Sequence, residues 1–245
     1  MKPYYQDGSV SIYHGDMREL VAGIDRVDAV VADPPYGETR LKWDRWPKDW
    51  PKVLLGKAPQ LWCFGSFRLF LEKLHEFDGW IYGQDLVWEK HNGSALHTDR
   101  FRKVHEFICH FYTGKWNDLF MNPPVTFDAQ KRKIRRQQKP DHWGQLQKPG
   151  IYEMEENGPR LMRSVLFFKS THREADVHSQ KPEGLIRPLL TYSIPPGGCV
   201  LDPFLGSGTV LRVAKDMGFR GIGFEQDEEH CEIAAKRMEQ EVLIC

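Results

Sequence analysis

Short apolar runs alternate with stretches whose apolar residues recur at helical spacing along most of the chain. Residues 27–32 and 199–201 are nearly continuous apolar runs, which is typical of parallel strands covered by helices on both faces. The same patterns predict further strands over residues 10–13, 61–65, 80–88, 104–112, 164–168 and 221–224, and helices over residues 17–22, 67–77, 183–192 and 210–217. This alternation of strands and helices indicates an α/β fold.

The stretch at residues 199–227 has the layout of a nucleotide-type site. A strand leads into a turn of small residues, a helix follows, and a second strand ends at Glu225. Glycines such as Gly206 and Gly208 let the backbone approach a ligand closely, and the start of the helix offers unpaired amides. An acid about 20 residues beyond such a turn is placed to accept the two hydroxyls of a ribose. Many α/β proteins pack such a turn without a ligand, so this stretch alone leaves both interpretations open.

A second motif, Asp33-Pro34-Pro35-Tyr36, directly follows the apolar run at residues 27–32. Two prolines after a buried strand prevent its continuation and stiffen the exit. We therefore expect Asp33 and Tyr36 at the carboxyl end of the sheet, where open α/β folds bind their ligands. In isolation the motif is also compatible with a rigid turn that an aspartate caps.

Composition bears on the partners and the cellular location that we expect for the protein. The 34 basic residues balance 34 acidic ones, so the total charge favours no particular partner. Five cysteines lie far apart, without the spacing of a zinc site or a redox motif, and we expect them to be reduced in a cytoplasmic protein. The chain starts without an apolar signal segment and has no run of membrane-spanning length, which predicts no membrane association.

The eight tryptophans suggest a surface that stacks on flat groups, because several of them lie in polar stretches. Three of these, Trp43, Trp46 and Trp50, fall within residues 38–50, which we expect to be a mobile loop over the site.

The periodicity fails over about residues 115–178. Within this segment six cations occur in nine residues without an acid between them: Lys131, Arg132, Lys133, Arg135, Arg136 and Lys139. A run of one charge is often only a solvated face. Its position among aromatic residues, in a chain with no net charge, favours instead a surface that binds phosphates.

Together the motifs resemble the amino-methylating DNA methyltransferases of the permuted, beta-type arrangement. In that family an Asp-Pro-Pro-Tyr motif comes first, a target-recognition region follows, and a cofactor-binding Phe-x-Gly-x-Gly comes last. Residues 33–36, the basic segment and residues 204–208 occur here in that order. Ser179-Gln180-Lys181-Pro182 resembles the family's Thr-Gln-Lys-Pro segment, Gly15-Asp16 resembles its Gly-Asp turn, and residues 221–225 resemble the strand whose glutamate holds the ribose.

The resemblance implies a single catalytic domain over residues 1–245 with a Rossmann-like fold. Its mostly parallel sheet would have seven strands, the last of them antiparallel, with helices on both faces and a target-recognition insertion at about residues 115–178. S-adenosylmethionine would be the cofactor, without a metal, and double-stranded DNA the partner. The sequence does not give the oligomeric state, and a homodimer is one option. The cofactor-binding residues implied are Asp16, Lys181, Asp202, Pro203, Phe204, Gly206, Ser207, Gly208, Thr209 and Glu225, and the six cations at positions 131–139 would bind DNA.

The resemblance also assigns catalytic roles to Asp33, Pro34, Pro35 and Tyr36. An exocyclic amine is a poor nucleophile because its lone pair is delocalised into the ring. The carboxylate of Asp33 and the carbonyl of Pro34 can accept hydrogen bonds from its two N–H groups, and the prolines make that geometry rigid. Tyr36 supplies a face for a base that has been flipped out of the duplex. The sulfonium is already a good leaving group, so neither a metal nor a covalent enzyme intermediate is needed.

Asp at the first motif position favours N6 of adenine as the target in this family. Three alternatives remain. Methylation of N4 of cytosine would use the same mechanism. A methyltransferase for a glutamine amide of a protein would carry Asn in place of Asp33 and would not need the basic segment. A catalytically silent DNA-binding module predicts the loss of one of the two motifs, and both are intact.

Overall fold

The structure is a computed structural model that describes residues 1–94, 98–136, 150–170 and 180–240. The chain divides into two compact units. The large unit comprises residues 1–122 and 164–245, and the small unit comprises residues 123–163. Each unit is described by itself.

A nine-stranded sheet forms the centre of the large unit among the residues described. Its strands are β1 (Tyr5–Gln6), β2 (Val10–His14), β3 (Ala29–Ala32), β4 (Gln60–Gly65), β5 (Ile81–Ser94) and β6 (Lys103–Tyr112), together with three strands that follow the small unit in the chain. We number those three β11 (Val165–Phe167), β12 (Cys199–Asp202) and β13 (Arg220–Glu225), because the small unit contains β7 (Val125–Thr126), β8 (Arg132–Arg136), β9 (Gly150–Met154) and β10 (Arg160–Leu161). The strand order is β1-β2-β13-β12-β3-β4-β6-β5-β11.

The five strands from β2 to β4 in this order run parallel, and β6 runs antiparallel to both of its neighbours, β4 and β5. The predicted fold class is therefore confirmed, with two differences. Two short edge strands, β1 and β11, extend the sheet beyond the seven strands expected. Apart from the two-residue edge strand β1, which pairs antiparallel with β2, the antiparallel strand is β6 and not the last strand of the chain. A hairpin joins β6 to β5, and hairpin-linked strands pair antiparallel.

Helices cover both faces of the sheet. They are α1 (Met17–Leu20), α2 (Trp50–Val53), α3 (Phe67–Lys73), α4 (Glu183–Ser193), α5 (Thr209–Asp216) and α6 (Glu228–Glu239). Alternate residues of the strands point to opposite faces, so Val30 and Leu201 pack with α1 to α3, whereas Val10 and Ile12 pack with α5 and α6. On the latter face Trp62 donates its indole N–H to Ser193 Oγ of α4 at 2.7 Å.

The tryptophans near residue 45 are mostly part of the core. Trp50 begins α2 and is completely buried, and Trp46 packs against it with 5.7 Å between ring centroids. The buried carboxylate of Asp44 accepts hydrogen bonds from the backbone N–H groups of Gly37 (2.8 Å) and Thr39 (2.6 Å) and so fastens the segment. The predicted stacking surface is therefore wrong for Trp50, because apolar side chains of this size are buried more readily than the polar sequence around them suggested. Trp46 is partly buried. Trp43 remains 57% exposed.

The small unit contains two two-stranded antiparallel sheets, β7 with β10 and β8 with β9. The sequence predicted no regular structure here. These strands have two to five residues, and charged side chains occupy most of β8, so no apolar alternation marks them.

Two further observations concern the whole described part of the chain. Cys63, Cys109, Cys199 and Cys231 are buried and not in disulfides. Over the same residues no helix is long and apolar enough to cross a membrane.

Candidate active site

Three neighbouring parallel strands end in acidic residues at one edge of the sheet. Asp33 follows the last residue of β3, Asp202 is the last residue of β12, and Glu225 is the last residue of β13. The order β13-β12-β3 makes the three strand ends neighbours, although their residues lie far apart in the sequence. The two sequence motifs therefore meet at the carboxyl edge, as the sequence predicted.

The Asp33 carboxylate has a partner at each oxygen. The hydroxyl of Tyr36 donates to Oδ1 at 3.0 Å, and the ammonium of Lys181 donates to Oδ2 at 2.5 Å. The aspartate side chain is 29% exposed, whereas that of Lys181 is 9% exposed. Pro34 is buried and Pro35 is partly buried. Lys181, predicted from its motif as a cofactor residue, thus lies directly against the predicted catalytic carboxylate.

Two residues that the sequence did not single out as site residues complete this group. Glu106 of β6 has Oε2 at 3.8 Å from the Lys181 ammonium and at 3.4 Å from the Tyr36 hydroxyl. Its other oxygen, Oε1, accepts a hydrogen bond from Lys90 of β5. The two strands, β5 and β6, belong to the same hairpin. The alternation of apolar and polar residues along β6 does not indicate that Glu106 lies close to Tyr36 and Lys181.

The pKa values of the ionisable groups in this cluster depend on one another. Burial raises the pKa of Asp33, and Glu106 raises it further, while Lys181 opposes both effects. Burial would lower the pKa of Lys181, but Asp33 and Glu106 outweigh it, so that pKa is raised and the ammonium stays charged. Burial would raise the pKa of Glu106, yet Lys181 and Lys90 hold it below its ordinary value. Burial and the adjacent carboxylates keep the Tyr36 phenol protonated by raising its pKa well above 10.

Two backbone amides, one from the turn after β12 and one from the segment after β13, bind the carboxylate of Glu225. Gly206 N–H donates to Oε2 at 2.7 Å, and Asp227 N–H donates to Oε1 at 2.9 Å. Gly208 has a φ of +78°, a conformation that favours glycine, and a Cβ there would lie only 3.1 Å from the Cβ of Ala234. Phe204 N–H donates to Asp202 Oδ1 at 3.1 Å, which folds the first half of the turn back on the strand end.

An arginine of α6 binds Ser207 and Thr209 of the glycine turn. Arg237 Nη1 donates to the Ser207 carbonyl at 2.8 Å, to its hydroxyl at 3.0 Å and to Thr209 Oγ1 at 3.3 Å. Nη2 of the same guanidinium donates to Glu183 at the start of α4 at 3.0 Å. Both hydroxyl residues are buried, and Arg237 fastens the glycine turn to two helices.

The remaining predicted cofactor residues lie around the same edge. Gly15 N–H donates to the Glu225 carbonyl at 2.7 Å, which brings the Gly-Asp turn next to the end of β13. The side chain of Asp16 caps α1 by accepting from Arg18 N–H at 2.9 Å and also pairs with the Arg18 guanidinium. Pro203 is buried, and the Phe204 ring meets Trp50 edge to face at 5.1 Å.

The predicted DNA-binding residues lie in the small unit. Lys131, Arg132, Lys133 and Arg135 are exposed on or just before β8, and Lys133 pairs with Glu153 of β9 at 2.5 Å. Lys139, and Ser179 of the motif that contains Lys181, lie outside the described residues, as does the side chain of Arg136.

The acidic groups at this edge fit a cationic ligand. Burial raises the pKa of Asp202 to about 8; Phe204 N–H opposes this effect, whereas the charges of Asp33 and Glu225 add to it. A positively charged ligand beside Asp202 would lower this pKa and so favour the ionised carboxylate. S-adenosylmethionine carries a sulfonium and an ammonium, so these residues fit it. No group of three or more His, Cys, Asp or Glu residues in the described ranges could hold a metal ion.

Comparison with known proteins identifies the class to which this sheet and its acidic edge belong. The sequence profile of a family described as DNA methylase, comprising N6 and N4 enzymes, matches residues 27–236. The chain belongs to this DNA methylase family, which confirms the resemblance seen in the sequence.

Individual proteins are similar to this chain over most of its length. Type II methyltransferase M.HinfI of Haemophilus influenzae is 26% identical, over 98% of this chain and 71% of its own length. A solved complex of M1.HpyAVI with SAM has a TM-score of 0.64 and 22% identity, covering 94% of this chain and all of that one. The PvuII cytosine-N4-specific DNA methyltransferase has a TM-score of 0.66 and 16% identity, covering 100% of this chain and 91% of its own. At this identity the solved structures support the Rossmann-like methyltransferase fold.

Proposed function

We propose that this protein transfers a methyl group from S-adenosylmethionine to N6 of adenine in double-stranded DNA, after the base has been flipped out of the duplex. The observation that carries the proposal is the Asp33–Tyr36 motif at the carboxyl end of β3, beside the glycine turn and Glu225. A cytoplasmic location is part of the proposal, since the substrate is cellular DNA.

The chain's own residues prepare the amine. Asp33 accepts a hydrogen bond from one N–H group of the target amine, and the carbonyl of Pro34 accepts the other. The two acceptors favour a tetrahedral nitrogen whose lone pair is available for attack. Tyr36 and Lys181 hold the two oxygens of Asp33, so the carboxylate keeps its orientation while the base enters. Tyr36 also offers its ring face to the flipped base.

The cofactor residues proposed are those around the acidic edge. Glu225 would accept the ribose hydroxyls through oxygens already oriented by Gly206 and Asp227 amides. Asp202 and the turn at residues 203–209 would hold the methionine part, and Asp16 lies next to Glu225 through the Gly15 contact. When bound, S-adenosylmethionine supplies an activated methyl group on a positively charged sulfur. The methylated amine is acidic, so its proton can leave to solvent without a dedicated base.

Adenine is the proposed target because Asp is the first residue of the tetrapeptide. Methylation of N4 of cytosine is the second candidate, favoured by the fold similarity to the cytosine-N4-specific PvuII enzyme. The two targets demand the same pair of acceptors, and the nucleoside product distinguishes them.

The test is transfer of a radiolabelled methyl group to DNA, followed by digestion to nucleosides. We expect label in N6-methyladenine and a fall of several orders of magnitude in the Asp33→Ala variant, because the lost acceptor acts chiefly in the transition state. The affinity of this variant for S-adenosylmethionine should persist. Glu72→Ala, an exposed acid on α3, is the matched control. Label in N4-methylcytosine would select the second candidate, and wild-type turnover of Asp33→Ala would exclude the proposed role of this carboxylate.

A further inference from the structure

The β5–β6 hairpin extends past the sheet on the side where Asp33 lies. Gly65, the last residue of β4, is level with Phe107 of β6, and β6 begins four residues earlier, at Lys103. At about 3.3 Å per residue, the two paired strands project about 13 Å beyond the end of β4. Glu106, which contacts the Tyr36 hydroxyl, lies at the base of this projection. The hairpin therefore rises from the rim of the site, within the same compact unit.

The described residues near its tip combine an apolar ring with positive charge. Phe101 is 100% exposed and stands between Arg100, which pairs with Asp99 at 2.9 Å, and Arg102. Lys103 follows, with its ammonium 3.9 Å from the Glu38 carboxylate, an exposed pair that a phosphate can replace. Arg102 Nε donates to the Gly93 carbonyl on the opposite strand at 3.0 Å, which ties the two strands together. A Cβ at Gly93 would meet the Lys103 carbonyl at 2.2 Å, so glycine permits this close pairing. The two strands of the hairpin end at Ser94 and Lys103, with an irregular register between Glu89 and Ser94, and Phe101 lies just before β6 with its ring exposed to solvent.

Both the shape and the charge of this hairpin match duplex DNA. The major groove of B-DNA is about 12 Å wide and admits a two-stranded β-ribbon. A single exposed Phe is unremarkable by itself, but here it is flanked by cations and projects from the rim of a site that receives a base. The charges suit phosphates, and the ring suits the apolar part of a base edge in the groove.

We propose that Phe101, Arg102 and Lys103, at the start of β6, enter a groove of the DNA beside the target base. This inference rests on the proposed function and adds a DNA-contacting element on the large unit. Arg102 and Lys103 contact phosphates, which is independent of sequence. Phe101 contacts a base and contributes to the choice of site.

The experiment measures binding of the full chain to two duplexes, one carrying the methylated sequence and one with that sequence scrambled. The methylated sequence is first read from the DNA of a host expressing the protein. Phe101→Ala should weaken binding to the first duplex by about fivefold or more and reduce the preference between the two. Arg102→Ala should weaken both equally and lower the slope of log affinity against log salt by about one unit.

Matched controls come from the opposite end of the sheet. Ile81→Ala removes an exposed apolar side chain at the far end of β5, and Arg220→Ala removes an exposed arginine at the start of β13. Both should leave DNA affinity unchanged, and thermal unfolding verifies that each variant is folded.

Wild-type affinity and salt slope in both hairpin variants would overturn the proposal, as would an equal loss of cofactor affinity, which would indicate a folding role. A changed sedimentation coefficient without a change in DNA affinity would instead assign the hairpin to a contact between copies. If the wild-type protein transfers no methyl group to DNA, the proposed function itself fails, and this result is distinct from all the others.

Discussion

At the scale of single residues, the orientation and charge of the Asp33 carboxylate depend on the side chains that surround it. Tyr36 and Lys181 each occupy one of its oxygens, and both lie within 4 Å of Glu106 as well. When a target amine donates to Asp33, Glu106 can take over part of the hydrogen bonding of the other two groups. We therefore expect Glu106 to position Lys181 and Tyr36 and to adjust the protonation of Asp33.

Glu106→Gln should move the acid limb of the methyl-transfer rate to lower pH. The negative charge of Glu106 raises the pKa of Asp33, so its removal lowers that pKa and Asp33 stays ionised at lower pH. The measurement is kcat against pH in single-turnover reactions. Glu106→Asp keeps the charge and should retain a limb close to the wild type, whereas an unmoved limb in Glu106→Gln would contradict the coupling between the two acids.

At the scale of elements, α6 holds the glycine turn in shape. Arg237 reaches the Ser207 carbonyl and hydroxyl, Thr209 and Glu183, and its side chain is only 11% exposed. These hydrogen bonds stabilise the turn together with the buried Leu205 side chain and the close packing of Gly208 on Ala234.

Arg237→Met should destabilise the protein and weaken cofactor binding together. The variant keeps most of the side-chain length but leaves the buried Ser207 and Thr209 groups without their charged donor, a cost of about 1.5–3 kcal/mol. Urea unfolding measures the first effect, and calorimetric titration with S-adenosylmethionine measures the second. Lys236→Met, at an exposed lysine on the same helix, should change neither. A stability loss with unaltered cofactor affinity would show that the turn keeps its shape without α6.

At the scale of the whole molecule, a chain with no net charge has exposed cations grouped on one short segment. Lys131, Arg132 and Arg135 are exposed on or before β8, while Lys133 is paired with Glu153. The assignment of this segment to target recognition remains a prediction. The pairing makes Lys133 the weakest of the four candidates for a phosphate contact, because binding DNA would first break its ion pair.

Replacing Lys131, Arg132 and Arg135 together with Ala should weaken DNA binding across all sequences and lower the salt slope by about three units, since each phosphate contact releases about one counterion. Lys133→Ala alone should have a smaller effect. Fluorescence anisotropy at several salt concentrations provides both quantities, with Arg220→Ala as the control. If the slope of the triple variant equals that of the wild type, the segment is a solvated face and does not bind phosphates.

The sequence by itself determined the fold class, the ends of the buried strands and the two motifs that meet at the carboxyl edge. These features are local, because the two prolines after β3 and the glycines after β12 act through the backbone of their own segments. Any fold that keeps these strands parallel brings the two motifs to the same edge.

Only the tertiary structure decided which distant side chains complete the site. Glu106 lies next to Lys181, with Lys90 paired to it from β5, because β6 lies between β4 and β5, and strand order cannot be derived from the periodicity of any single strand. Arg237 reaches Ser207 because α6 packs beside α5, across 30 residues of chain. The burial of Trp50 likewise followed from packing, since a polar neighbourhood in sequence does not indicate which side chains turn inwards. Long-range contacts of this kind depend on the register and order of the elements, which are established only when the whole chain folds.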